Sequence, residues 1–418
     1  MLIEYKRLKK VDYDFLKCYT LFMETKKKIN VAFFVDNFSV IDGVVMVIKQ
    51  YAKRLKDRAN VFVVCPKSKK TQMEEDYQVI FASSIHVPFI GYDIGSPFGR
   101  RKFYRDMKKR DIDIVHFHSP FMLGEMAVKV AKMKQIPLIA TFHSQIKRDF
   151  EMTFKFKFIS NIVLKHTMRL YNACDEVWAV NANVEKLLPQ YGYKGRTRVM
   201  DNATEMFPLE NPELGKKEVN EKFGYTEKDR VLLFLGRITS QKNIYFTEEV
   251  IKNLRDRGFD FKFLFVGDGY SMLKIKSKVS RHKLNDIVTF AGSISDRNLV
   301  AKIYARADLF VFPSYYDTDG LVKYEAAAQG TPVIFGEGAI AAGGIEEGVN
   351  GFFGKPDVVA FADKIIQIFE DKEAYRRVCD NLATKLYRTW DGQVDLAFKR
   401  YNELIEKNKQ KLEEKTSV

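Results

Sequence analysis

Cysteine is scarce. Cys18, Cys65, Cys174 and Cys379 stand far apart in 418 residues, and no two form a CxxC pair. That spacing argues against a zinc ribbon or a disulfide frame and suits a reducing compartment. Long apolar runs are also missing. Stretches such as Val31–Val35 and Val231–Leu235 fall far short of the roughly 18–20 residues that span a bilayer. The first ten residues, MLIEYKRLKK, are charged throughout, so no secretory leader is expected and the location reads as cytoplasmic. With 24 Gly and 11 Pro, the chain is neither collagen-like nor a low-complexity tract. There is no short tandem repeat. Known nucleic-acid modules are lacking too, so no nucleic-acid partner is expected.

What is present is a globular composition with a lopsided charge. Hydrophobic residues make up 46% and charged residues 29%, and the length suggests two or three domains. The net charge is +15. Residues 1–207 hold 36 Lys/Arg against 22 Asp/Glu, whereas residues 208–418 hold 33 against 32. Nearly all the excess lies in the first half. Such asymmetry points to a polyanion facing that half, or to a solubilising surface. Two segments concentrate it. FGRRKFYRDMKKR (98–110) is densely basic. KRDFEMTFKFKFISNIVLKHTMRLY (147–171) sets basic residues beside Phe150, Phe154, Phe156, Phe158, Ile159, Ile162, Val163 and Leu164. That mixture fits an interfacial helix on anionic lipid, or a helix whose aromatic face packs as core.

Short apolar strands alternate with helix-length segments. INVAFFV (29–35), NVFVVCP (60–66), DIDIVHFHS (111–119), PLIATFHS (137–144) and EVWAVN (176–181) read as strands of the first half. VLLFLG (231–236), FKFLFVG (261–267), IVTFAG (287–292), LFVFPS (309–314) and TPVIFGEG (331–338) continue the pattern. About ten strands alternating with helices predict an α/β fold with two Rossmann-like parallel sheets. The expected division is an extension over 1–28, a first domain over 29–206, a second over 207–388, and a final segment over 389–418 returning toward the first domain. The boundary falls in ATEMFPLENPELG, and a bend is expected at Asp391-Gly392 ahead of the last helix. Met23 opens a second natural start, which makes 1–22 either a loose arm or a start-site artefact.

In such sheets ligands sit beyond the carboxyl ends of the strands. Arg237 and Lys242 (GRITSQKN) lie in the loop after one strand, ahead of a helix whose start favours anions. Together they suit a pyrophosphate, although two solvated cations would look the same. In SYYDTDGLVKYEAAAQG, Asp317 and Asp319 precede a helix expected from Leu321. Glu325 stands one turn into it, so free amides and a carboxylate would face the same cleft. By spacing alone, two helix-capping acids explain this better. His116 and His118 share a strand face without an evident third metal ligand, which favours structural roles. Asp111 and Asp113 precede their strand, at the wrong end for a cleft.

The ordered set of motifs resembles the family 4 retaining glycosyltransferases of GT-B architecture, including the kind that makes membrane glycolipids. It comprises Asp42-Gly43-Val44, DIVHFHSPF, the TFHS histidine His143, DNAT, GRITSQKN, VGDG, and the acid-x7-acid segment ending in EAAAQGTPV, from Lys28 to about Asn408. The resemblance implies two domains facing a cleft and a nucleotide sugar, UDP-linked, as donor. It implies no essential metal or cofactor, since the nucleotide sugar is a substrate. A membrane lipid is the implied acceptor, with peripheral attachment to the inner face of the membrane. A soluble polysaccharide, an anionic polymer or a protein stands as the alternative acceptor, and a sugar-nucleotide-binding protein without transfer as a second alternative. Residue by residue, Arg237 and Lys242 would bind the diphosphate, Glu325 the ribose, and Asp317 the transferred sugar. Leu321 and Val322 would offer amides to the phosphates, and His143 would face the reacting sugar. Gly43 would let its loop approach the diphosphate, with Gly236, Gly267 and Gly320 also near the donor. The first acid departs from the family's Glu-Pro-Phe-Gly context: here it is Asp317 in Asp-Thr-Asp-Gly, so Asp319 is a second candidate for the sugar contact.

Overall fold

The computed structural model describes residues 28–39, 42–69, 71, 73–87, 92–96, 99–153 and 156–416. The extension ahead of Lys28, the start at Met23 and the aromatic Phe154 lie outside the described residues.

The first half runs β1 (Ile29–Phe34), α1 (Gly43–Leu55), β2 (Ala59–Pro66), β3 (Gln78–Ala82), β4 (Ser84–Val87), β5 (Tyr92–Gly95), α2 (Arg100–Lys109), β6 (Ile114–Phe117), α3 (Met122–Lys134), β7 (Leu138–Phe142), α4 (Ile146–Thr153), α5 (Lys157–Tyr171), β8 (Glu176–Ala179), α6 (Ala182–Leu187) and β9 (Thr197–Val199). The second half runs α7 (Pro212–Phe223), β10 (Val231–Leu235), α8 (Ile244–Asp256), β11 (Lys262–Val266), α9 (Met272–Arg281), β12 (Val288–Gly292), α10 (Arg297–Arg306), β13 (Leu309–Phe312), α11 (Leu321–Ala328), β14 (Val333–Gly336), β15 (Phe352–Gly354), α12 (Val358–Glu370), α13 (Lys372–Asn381) and α14 (Trp390–Thr416). Two parallel sheets result, in the orders β3-β2-β1-β6-β7-β8-β9 and β12-β11-β10-β13-β14-β15. β4 and β5 form a separate antiparallel hairpin. This is the α/β architecture that the alternating apolar runs predict.

Parallel strands covered on both faces are dominated by apolar residues: β10 (VLLFL) has no polar residue, β1 (INVAFF) has only Asn30 and β6 (IVHF) only His116. One face of the first sheet packs Phe34, Phe117 and Phe142 against α2–α5. The other packs Phe33, Ile114 and Trp178 against α1 and α14. α14 therefore belongs to the first sheet's core, although it comes last in the chain. Tyr401 is fully buried, stacks on Trp178 with centroids 5.3 Å apart, and shares a 2.9 Å hydrogen bond with Nδ1 of His116. Buried Glu176 accepts from Trp178 Nε1 at 3.0 Å, Arg198 Nε at 3.2 Å and Arg400 Nε at 3.1 Å, so strand, edge strand and terminal helix share one carboxylate.

Two local expectations are corrected. Asp391 and Gly392 form no bend; they lie in the first turn of α14, where Gly392 N–H donates to the Thr389 hydroxyl. The connecting stretch is also shorter than 203–215, because Asn211 caps α7 by accepting from Leu214 N–H and Pro212 takes the first helical position, where its missing N–H costs nothing. No helix among the described residues is long and apolar enough to cross a membrane. Truncating Tyr401 to Ala should remove about 3–5 kcal/mol of stability, the range for deleting a buried aromatic ring. Urea unfolding of the variant at unchanged m-value measures it.

Candidate active site

Each sheet reverses its winding at one point, between β1 and β6 and between β10 and β13. Loops leaving those strands diverge there and open a crevice. Asp36, just after β1, pins the first crevice: its buried carboxyl accepts from the amides of Phe121 and Leu123, and burial pushes its pKa up to about 7. Between the halves lies a cavity of about 420 Å³, lined from the first half by Asp42, Gly43, His143 and Gln145 and from the second by Arg237, Asp317 and Leu321. A Cβ built on Gly43 would meet no described residue within 4 Å, and Gly43 lines the cavity.

Lys242 ends a short 3-10 turn, and Asn243 then adopts φ 60° to start α8. Its ammonium pairs with the Asp317 carboxylate and lies 5.4 Å from the Phe312 ring centroid. Asp317 Oδ2 is buried and has no hydrogen-bond partner among the described residues. Arg237 is exposed on the cavity wall. α11 begins at Leu321 without a side-chain cap, and the amides of Leu321 and Val322 make no hydrogen bond to another described residue. Arg237, the Lys242–Asp317 pair and the uncapped start of α11 thus meet at the crevice, a set that attracts a phosphorylated, hydroxyl-rich molecule.

Other predicted residues sit further back. Glu325 does not line the cavity; Arg297 pairs with it and the Tyr304 hydroxyl donates to it at 3.2 Å. Gly236 and Gly267 pack on each other behind the loop, where a Cβ on Gly267 would lie 1.9 Å from the Gly236 carbonyl oxygen. Their role in the fold is this close approach. Gly320 supplies the N-cap of α11.

His143 stands half-buried after β7, with Nε2 2.9 Å from Nδ1 of buried His118. Burial lowers the pKa of His143 to about 3, and burial with neighbouring imidazoles holds His116 and His118 well below the usual histidine value. His116 spends both ring nitrogens, on Tyr401 and Thr141, as a structural residue does.

Several residues at the site had not been singled out from the sequence. Gln145 Nε2 donates to the carbonyls of Tyr315, Tyr316 and Asp317 at 3.0, 3.0 and 2.9 Å. Arg148 adds a bond to Tyr315 O, and the Tyr316 hydroxyl donates to Asp149 at 3.1 Å. Asn181 donates to Thr318 O at 2.8 Å and Asn202 to Asp319 Oδ2 at 2.8 Å. Asp319 is also paired with fully buried Lys323 at 2.7 Å, whose ammonium donates further to the carbonyls of Ala341 and Gly343. Asp319 is committed to that network, whereas Asp317 keeps a free oxygen. The only sequence signal was position: Gln145 follows the TFHS motif, and Asn202 lies within DNAT.

Residues 41–205 match the model for Glycosyltransferase Family 4, and residues 215–385 match that for Glycosyl transferases group 1. The chain is a family 4 glycosyltransferase of GT-B architecture. The glycosyltransferase is 29% identical over 305 residues to an alpha-monoglucosyldiacylglycerol synthase of Streptococcus pneumoniae, covering 71% of this chain and 68% of that one. A synthase of the same name from Acholeplasma laidlawii is 23% identical, over 85% of this chain and 92% of its own. Among solved structures, Anabaena HepE in complex with UDP-glucose shares the fold at 18% identity and a TM-score of 0.67, covering 89% of this chain and all of that one.

The neutral state of His143 carries a stability consequence. Its folded pKa lies below the unfolded value near 6.5, so its contribution is complete above pH 6.5 and declines as pH falls toward 3. His143→Gln should therefore lose less stability than the parent between pH 7 and 4.5. Paired urea titrations at the two pH values test this, and equal losses would contradict it.

Proposed function

We propose that this glycosyltransferase moves a hexose, with retention, from a UDP-linked sugar to a lipid acceptor held in a membrane. The observation that carries the reading is the crevice itself, where Arg237, the Lys242–Asp317 pair and the uncapped start of α11 meet at the junction of the two halves. In this reading Arg237, Lys242 and the amides of Leu321 and Val322 hold the diphosphate. They stabilise the charge that grows on it as the glycosidic bond breaks. Asp317, which lines the cavity, accepts a hydroxyl of the transferred sugar, and His143 faces the same sugar. Glu325 accepts the ribose hydroxyls, exchanging part of its bond to Arg297 for them. Gly43 leaves room for the diphosphate. The acceptor hydroxyl attacks the anomeric carbon on the face that the diphosphate leaves, and the departing phosphate oxygen takes its proton. A UDP donor is supported by the HepE complex, which holds UDP-glucose, and a lipid acceptor by the two diacylglycerol glycosides' synthases.

Membrane attachment through the first half has its own support. The aromatic segment divides: Phe150, Leu164 and Met168 enter the core, whereas Met152, Phe156, Phe158 and Ile162 stand exposed among Lys157, Lys165 and Arg169. Exposed apolar rings flanked by cations suit an anionic bilayer, each cation near the surface contributing on the order of 1 kcal/mol.

Arg237→Ala and Lys242→Ala should each lower kcat/KM by roughly 10²-fold, the scale for losing one preorganised donor to a developing anion. Turnover across a panel of sugar nucleotides measures this, and near-parental rates in both would remove the assignment. Flotation with anionic but not neutral vesicles, weakened by salt and by Phe156→Ser with Phe158→Ser, is expected. The absence of salt-sensitive co-flotation would remove the membrane reading and favour a soluble acceptor.

A further inference from the structure

The paired imidazoles beneath the cavity constrain which proton His143 can offer. A neutral imidazole carries one N–H, and the 2.9 Å contact between His118 Nδ1 and His143 Nε2 needs one proton between them. Two arrangements satisfy it. If His143 Nε2 carries that proton, His118 must be protonated on Nε2. That atom is buried and has no partner among the described residues, so an N–H would be stranded there. If His118 Nδ1 carries it, His118 Nε2 is a bare lone pair, and His143 must be protonated on Nδ1. Orphaned buried N–H groups are rarer than orphaned acceptors, so the second arrangement wins. Nδ1 of His143 makes no hydrogen bond to a described residue and is not among the sealed, unpaired atoms, so it remains accessible on a residue that lines the cavity. We propose that His118 is a positioning residue that holds His143 in its Nδ1–H tautomer, so that His143 presents a hydrogen-bond donor, not a base, to an oxygen of the bound sugar nucleotide. The proposal rests on the donor reading above for its ligand, but not for its tautomer.

His118 thus sets both the orientation of the ring and the sign of what it offers. A donor at this place leaves the acceptor's proton to the departing phosphate. The full chain has six histidines, few enough for long-range proton–nitrogen NMR on histidine-labelled protein, with His143→Gln marking the resonance to be read. The expected spectrum at pH 7.5 shows His143 protonated at Nδ1 and bare at Nε2; the opposite tautomer overturns the proposal. His118→Asn keeps an N–H near the Nδ1 position and should retain both the tautomer and transfer within about threefold. His118→Leu should scramble the tautomer and lower kcat at least about tenfold, part of the 10²–10³ that a lost preorganised donor costs. A His118→Leu protein that keeps the Nδ1–H signal and full turnover also overturns it. Because the spectrum of the unaltered chain needs no donor, a failure of the tautomer is distinguishable from a failure of the sugar-nucleotide reading.

Discussion

Everything at the crevice depends on how one loop of the second half, Tyr315–Asp319, is gripped by side chains of the first. Carbonyl oxygens are strong acceptors that must be satisfied when buried. Here Gln145, Arg148 and Asn181 satisfy four of them from across the junction, and Asp149 and Asn202 anchor two side chains of the same loop. The position of Asp317, and through it of Lys242, is therefore set jointly by both halves. The loop is thus held in this form by contact between the halves.

The same loop separates two acids that spacing alone leaves equivalent. Asp319 and Lys323 form a buried ion pair. Desolvating such a pair is costly unless further hydrogen bonds complete it, and Asn202 and two carbonyls do so. Its rigidity fixes the start of α11, including the free amides. Asp317, two residues earlier, lines the cavity and is left with one buried oxygen that has no partner among the described residues. One acid shapes the loop, and the other pairs with Lys242 at the cavity wall.

The sequence made the fold legible wherever strands were central and apolar, as in INVAFF and VLLFL. It found the edge strand β12 but missed the other three sheet edges. QVIFA of β3 is half exposed, and TRV of β9 and FFG of β15 are too short to show any periodicity. Four of the predicted site residues, His143, Arg237, Lys242 and Asp317, carry their meaning locally, in a loop after a strand, and the structure places all four at one crevice or paired into it. Gln145, Asn202 and Lys323 do not. An amide or a lysine becomes informative only once its partner in the other half is known, and no local pattern supplies that. The Phe-rich segment was undecided for the same reason: a period of 3.6 shows which residues share a face but not which face meets solvent.

α14 has a consequence for synthesis of the chain. One face of the first sheet, with Phe33 and Trp178, stays open until Trp390, Tyr401 and Ile405 arrive, more than two hundred residues after Trp178. On the ribosome the amino-terminal half would wait with an uncovered apolar surface while the second half folded, a window in which a chaperone has something to hold.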